Sequence, residues 1–186
     1  VTNHCNFRCK HCFIDFSPKN YLPFERYQRL GQEVGPLFWL DIGGGEPFLR
    51  KDLPQIVSSF DAEVVTIPTN GSLVDRISTM TAEINDQIAG ELTISLSIDG
   101  LKETHDRIRE KGSWDKVWET VERLRHIDGL RVKINTVLCQ DNFHEIIDLM
   151  EFVYRQKPDF HSIILLRGNP LDPTFGLPPI RELKKI

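Results

Sequence analysis

Short apolar runs alternate with stretches of helical period along this chain, and that alternation limits the fold more than any other feature. Runs over 37–42, 64–67, 92–98, 130–138 and 161–166 are rich in strand formers. Turn signals follow several of them, such as Gly43-Gly44-Gly45, Pro68-Thr69-Asn70-Gly71 and Asp99-Gly100. Residues 1–3 read as the end of a further strand. Between the runs, apolar residues recur every three or four positions: Phe24, Tyr27, Leu30, Val34; then Ile77, Met80, Ile84, Ile88; Val117, Val121, Leu124; and Ile146, Leu149, Met150, Val153. Asp52 with Gln55, Ser113, and Asn142 with Glu145 read as caps that open helices.

Six strand–helix alternations predict a parallel sheet, because each helix must cross back over it. The near-continuous apolar strands predict burial on both faces. Such a sheet either curls into a barrel or stays open and doubly wound, and periodicity alone does not choose. The absence of GxGxxG or a P-loop after the first strand weakens the nucleotide-binding open sheet. With 186 residues, 40% of them hydrophobic, the chain is expected to form one core domain over 1–170. A proline-rich tail over 171–186 follows, with one helical turn near 181–185, and is expected to lead to a C-terminal region. The chain opens on Val1 inside an apparent strand, which predicts excision from a longer protein and leaves a targeting segment ahead of it open. A net charge of −4 disfavours nucleic acid as a partner. No apolar run is long enough to span a bilayer, so no membrane partner is expected.

Cys5, Cys9 and Cys12 carry the chemistry. A loop that tight can turn three thiolates towards one point, and thiolates select iron–sulfur clusters, zinc or copper. Structural zinc takes four ligands, and so does a cubane that only carries electrons. Three cysteines leave one iron of a cubane free to bind something else. Their clustering fits metal in a reducing compartment, the cytoplasm. Cys139, far from the others, reads as a small buried hydrophobe. Three adjacent glycines at 43–45 let a backbone approach a ligand closely.

The CxxxCxxC loop resembles the signature of the radical S-adenosylmethionine (SAM) enzymes. That resemblance implies a [4Fe–4S] cluster on Cys5, Cys9 and Cys12, with the amino and carboxylate groups of SAM on the fourth iron. His11 stands where the family usually has an aromatic residue, and keeps a flat ring beside the adenine. Gly44-Gly45-Glu46 is similar to the family's GGE motif, which implies contact with the methionyl ammonium of SAM. The run Ser97-Ile98-Asp99-Gly100 with His105-Asp106 and Arg109 resembles a stretch of the SPASM-type, peptide-modifying members. It implies Ser97 at the SAM carboxylate or ribose and Arg109 at the carboxylate, which an arginine fork matches. Thr69 and Asn70 match the TNG stretch that shapes the floor of the site. The fold implied is α/β, a partial TIM-type barrel of six β/α units with outer helices. Active sites of such barrels gather at the C-terminal strand ends, where each of these stretches falls.

The activity implied is a radical SAM reaction: one electron from the reduced cluster cleaves SAM, and a 5′-deoxyadenosyl radical abstracts hydrogen from a small-molecule or peptide substrate. An electron donor such as flavodoxin or ferredoxin is implied with it. Three rivals stand beside this reading. A zinc module would recruit His4 or His11 as a fourth ligand, an electron carrier would have no use for the GGE stretch, and an inactive barrel would be a scaffold. His105, His126, His144 and His161 show no ligand spacing and read as surface or satisfied core. Trp114 and Trp118, one turn apart, read as packing.

Overall fold

The computed structural model describes residues 1–16 and 21–184. In chain order the elements are α1 (Phe24–Val34), β1 (Leu37–Asp41), α2 (Leu53–Ser58), β2 (Ala62–Thr69), α3 (Val74–Gln87), β3 (Glu91–Ser97), α4 (Lys102–Ile108), α5 (Ser113–Leu124), β4 (Arg131–Leu138), α6 (Ile146–Gln156), β5 (Phe160–Leu165) and α7 (Ile180–Leu183). The five strands form one parallel sheet in the order β1-β2-β3-β4-β5. It is a curled half-barrel with helices outside. The sixth strand, expected at residues 1–3, is reduced to a single parallel bridge between Thr2 and Gly44. The expected turn near 181–185 is α7, and its last residue, Lys185, lies outside the described residues.

One face of each central strand packs under helices. Val65 and Ile67, Leu92, Ile94 and Leu96, and Val132, Ile134 and Leu138 meet Ile77 and Ile84 of α3, Val117, Val121 and Leu124 of α5, and Leu149 and Val153 of α6 in one core. The stripes read from the sequence for α3 and α5 therefore point inward, and so does that of α6 except for Met150, which is exposed. The other face is polar. Register aligns Asp41 with Thr66 and Thr93, Ser95 with Lys133, and Ser97 with Asn135 and Ser162. Burial on both faces was expected, yet β2 and β4 alternate between buried and less buried positions. An unclosed barrel has no second helical layer inside, so its inner wall borders a channel. Edge strands are barer still: Phe38 is 75% exposed and Trp39 58%.

Local signals were overridden in four places. Asp52 pairs with Arg50 at 2.6 Å and makes no cap hydrogen bond to α2. Ser113 is the first residue of α5, and the cap is Asp106, which accepts from Gly112 N at 2.7 Å and Trp114 N at 2.9 Å. Asn142 and Glu145 form no capping box; Asn142 Nδ2 donates to Asp99 O, and Glu145 accepts from Leu101 N. On α1, Leu30 and Val34 are exposed, and the helix docks through Gly31, where a Cβ would overlap Ser59 O. α4 has no apolar period in the sequence and was not foreseen. No helix of the described residues is long and apolar enough to cross a membrane.

Candidate active site

The C-terminal strand ends surround a cavity of about 210 Å³. Cys5, Cys9, His11, Cys12, Gly44, Gly45, Thr69, Ser97 and Arg109 all line it. These come from the cysteine loop, the turn after β1, the ends of β2 and β3, and the residue that ends α4. Asn70 lines the cavity as well, whereas Glu46 is absent from the wall. It lies behind it, fully buried.

The cysteine loop is held by backbone. Residues 2–4 run beside the glycine turn, with Gly45 N donating to Thr2 O and Glu46 N to His4 O, each at 2.7 Å. A Cβ on Gly44 would overlap Thr2 O, and one on Gly45 would overlap His4 O, while Gly43 faces open space. The close approach these two glycines permit is therefore to the chain's own backbone, although both also border the cavity. The Glu46 carboxylate accepts from Phe48 N, from Thr69 Oγ1 at 2.8 Å and from Asn70 N at 2.8 Å. It thus ties the glycine turn to the end of β2. Burial pushes its carboxyl up to about 7, against those hydrogen bonds. Three accepted bonds leave one of about four acceptor positions on the group.

Polar groups meet two of the sulfurs. Cys5 Sγ accepts from Phe7 N at 3.4 Å and from Asn70 Nδ2 at 3.9 Å. Cys9 Sγ faces Arg109 Nη1 at 3.9 Å. Burial raises the Cys5 thiol, and raises Cys9 to about 11 even beside that guanidinium. Metal must therefore displace protons to bind here.

Asp99, fully buried, is the hub behind Cys9. Its Oδ2 accepts from Arg109 Nε at 2.6 Å and faces His11 Nε2 at 3.2 Å, while Oδ1 accepts from Val137 N at 2.8 Å. Burial pushes this carboxyl up, but Arg109, His11 and the Val137 amide outweigh it and hold it below the usual range. Because Asp99 occupies the Nε edge of Arg109, a second carboxylate has only the Nη1–Nη2 edge. His11 is buried and kept neutral by that burial; its Nδ1 has no partner. The ring lies 6.4 Å from that of Phe175.

His105 is buried but only half satisfied: its Nδ1 accepts from Asp99 N at 3.2 Å, which assigns the proton to Nε2. That Nε2 meets no hydrogen-bond partner among the described residues, and the ring stands edge-on to Trp114. Burial lowers its pKa to about 4. Trp118 packs edge to face against Trp114 and Phe152, and Trp114 meets Phe152 at a tilt. His161 meets Thr136 Oγ1 at 3.0 Å. Cys139 is buried with Ile108, Leu166 and Phe175. Among the wall residues missed in the sequence are Val137, Ile164 and Arg167, from the ends of β4 and β5. They carry no motif, and only their position after a strand could have flagged them.

The donor set suits the group the resemblance implies. Among the described residues no three His, Cys, Asp or Glu side chains converge to hold one ion. Three thiols spaced around a cavity suit a multi-iron cluster instead. The side-chain-free wall at Gly44 and Gly45, with Ser97 and Arg109 opposite, leaves room and polar partners for a second group beside it.

Comparison with known proteins places the chain. The family model described as the radical SAM superfamily matches residues 1–153. The chain is 31% identical to GTP 3′,8-cyclase of Rhizobium etli, over 99% of this chain and 56% of the relative. It is 30% identical to molybdenum cofactor biosynthesis protein 1 of Drosophila melanogaster, over 88% of this chain and 30% of that protein. It thus spans about half or less of the curated relatives it matches. Its fold superposes on Streptococcus suis SuiB bound to S-adenosylmethionine with a TM-score of 0.78 and 19% identity, covering 99% of this chain and 44% of SuiB. The five-stranded half-barrel with three cysteines at its rim is that of the family, which uses a [4Fe–4S] cluster and SAM, and the chain belongs to the radical SAM superfamily.

Proposed function

We propose that this chain binds a [4Fe–4S] cluster through Cys5, Cys9 and Cys12, binds SAM beside it, and directs radical chemistry at a polar small-molecule or peptide substrate. One observation carries the reading: nine residues chosen from motifs in separate segments line a single cavity. A cluster held by these cysteines would supply one-electron reduction of SAM bound beside it, and the two together would supply the radical chemistry. The chain's own residues bind, orient and exclude water. Backbone at Gly44 and Gly45 receives the methionyl ammonium, while Glu46, behind the wall, holds that turn against the end of β2. Ser97 and the free edge of Arg109 receive the carboxylate, His11 stands at the adenine, and Thr69 fixes the floor through Glu46.

The relatives' names divide between a GTP cyclase and SuiB, which has been solved with its precursor peptide SuiA. The inner wall supports a polar substrate of either kind, with Asp41, Thr66, Ser95, Lys133, Asn135 and Ser162 along the channel. The electron donor would be a small redox protein of the flavodoxin or ferredoxin kind. Anaerobic reconstitution tests the core of this reading. About four irons and four sulfides per chain are expected, with loss on Cys5→Ala, Cys9→Ala or Cys12→Ala and retention in Cys139→Ala. The electron paramagnetic resonance spectrum of the reduced protein should change on adding SAM. Stoichiometric zinc without a visible chromophore would sink the proposal, and an unchanged spectrum would reduce the protein to an electron carrier.

A further inference from the structure

We infer that Asp99 is a positioning residue that holds the Arg109 guanidinium against Cys9 Sγ, and that this pair sets the reduction potential of the cluster. The inference rests on the reading of the cysteine loop above and adds to it a role for Asp99, which does not line the cavity, and a second role for Arg109 beside its contact with the SAM carboxylate.

Asp99 cannot move. Its carboxylate is gripped by Arg109, His11 and the Val137 amide, its N–H donates to His105 Nδ1, and its carbonyl accepts from Asn142 Nδ2 at 2.8 Å. Arg109 is the carried member. Its only other polar contact among the described side chains is Nη1 to Cys9 Sγ, and just 9% of the residue is exposed. It sits at the end of α4, a helix of seven residues. The short Nε–Oδ2 contact of 2.6 Å is what aims the guanidinium at the sulfur.

A cluster that accepts an electron gains negative charge, and a buried cation beside one of its sulfurs stabilises the reduced form. Net charge near the cluster and hydrogen bonds to its sulfurs are two of the levers that set such potentials. Low dielectric at a buried site keeps the effect large. The carboxylate acts in the opposite sense but lies farther from Cys9, with the guanidinium bridging the two.

That opposition makes the test decisive. The measurement is a potentiometric titration of the reconstituted wild type, Arg109→Gln, Arg109→Lys and Asp99→Asn at one pH, followed by the paramagnetic signal of the reduced cluster. Arg109→Gln should shift the midpoint to more negative potential. Arg109→Lys, which keeps the charge and loses the fork, should shift it less. Asp99→Asn removes a negative charge and by electrostatics alone would shift the midpoint positive. If Asp99 positions Arg109, the freed guanidinium leaves the sulfur and the shift is negative instead. A positive shift in Asp99→Asn, or an unchanged potential in Arg109→Gln, overturns the inference while leaving the cluster assignment intact. Should Asp99→Asn fail to fold, Arg109→Gln against Arg109→Lys decides alone, and equal potentials in those two overturn it. No cluster in the wild type would overturn the reading of the cysteine loop, and this inference with it.

Discussion

Gly43, Gly44 and Gly45 look interchangeable in the sequence, yet a methyl group would meet different things at each. At Gly43 it meets nothing within 4 Å, whereas at Gly44 and Gly45 it overlaps carbonyl oxygens of residues 2 and 4. Gly44 also has φ of 151°, in the region that favours glycine. Gly43→Ala should therefore melt like the wild type, while Gly45→Ala should cost about 1–3 kcal/mol in denaturant unfolding. His105 gives a second test at this scale. Its pKa lies at about 4 in the folded chain and near 6.5 unfolded, so between those values the unfolded state binds more protons. Stability contributed by the neutral ring is present above pH 6.5 and is lost as pH falls towards 4, on the order of 3 kcal/mol in all. His105→Asn keeps an acceptor for Asp99 N and cannot titrate. Its loss of unfolding free energy from pH 7 to pH 5 should be smaller than that of the wild type; equal losses would assign the acid sensitivity elsewhere. The three cysteines and the glycine turn were legible because their spacing is local. Asp99 read as a plain turn residue because three of its five partners, His11, Val137 and Asn142, come from segments far away in sequence.

At the scale of elements, the helical stripes of α3, α5 and α6 were legible because a period of 3.6 exposes one face to the sheet. The caps were not. Ser113, Asp52 and Asn142 are good capping types, yet Ser113 is offset by one residue, Asp52 is drawn off by neighbouring Arg50, and Asn142 turns to Asp99. Asp106 does the work at α5, reaching from the far side of the Gly112 turn to two backbone N–H groups and the Ser113 hydroxyl at 3.4 Å. Asp106→Ala should destabilise the chain by about 1–2 kcal/mol, as loss of a strong cap does. Because the cap closes the junction of α4 and α5, Arg109 should feel it less than α5 does. Amide exchange should accelerate at Trp114 and be unchanged at Ile94; a uniform change would show that the cap supports the whole core. α4 itself escaped notice because its buried residues, Thr104, His105 and Ile108, present no apolar stripe.

For the molecule as a whole, the parallel sheet was legible from alternation, but the open channel was not, since closure depends on how many strands curl together. Nor did the sequence show that the tail turns back onto the cysteine loop. Leu171 N donates to Cys12 O at 2.7 Å, Gln140 N to Gly176 O at 2.9 Å, and Phe175 is 6% exposed among Ile108, Cys139 and Leu166. The cysteine loop has almost no regular structure of its own. It is fixed from three sides: by the glycine turn after β1, by Ile108 O at the end of α4, which accepts from Lys10 N at 3.0 Å, and by this strap. Phe175 belongs to a small satellite cluster separate from the main core. Truncating it should therefore open the strap and loop as a local unit, without unfolding the sheet. A buried Phe→Ala change costs about 3–5 kcal/mol in a main core, and a satellite cluster able to relax should lie at or below the low end. In Phe175→Ala, amide exchange at Leu171, Gln140 and Lys10 should quicken at least tenfold, corresponding to about 1.4 kcal/mol of lost local stability. Ile94 and Ile134, deep in β3 and β4, should exchange at wild-type rates. Equal acceleration at all five amides would mean that the strap is part of the global folding unit, and that the geometry of the cysteine loop is set by the core and not by the tail that crosses it.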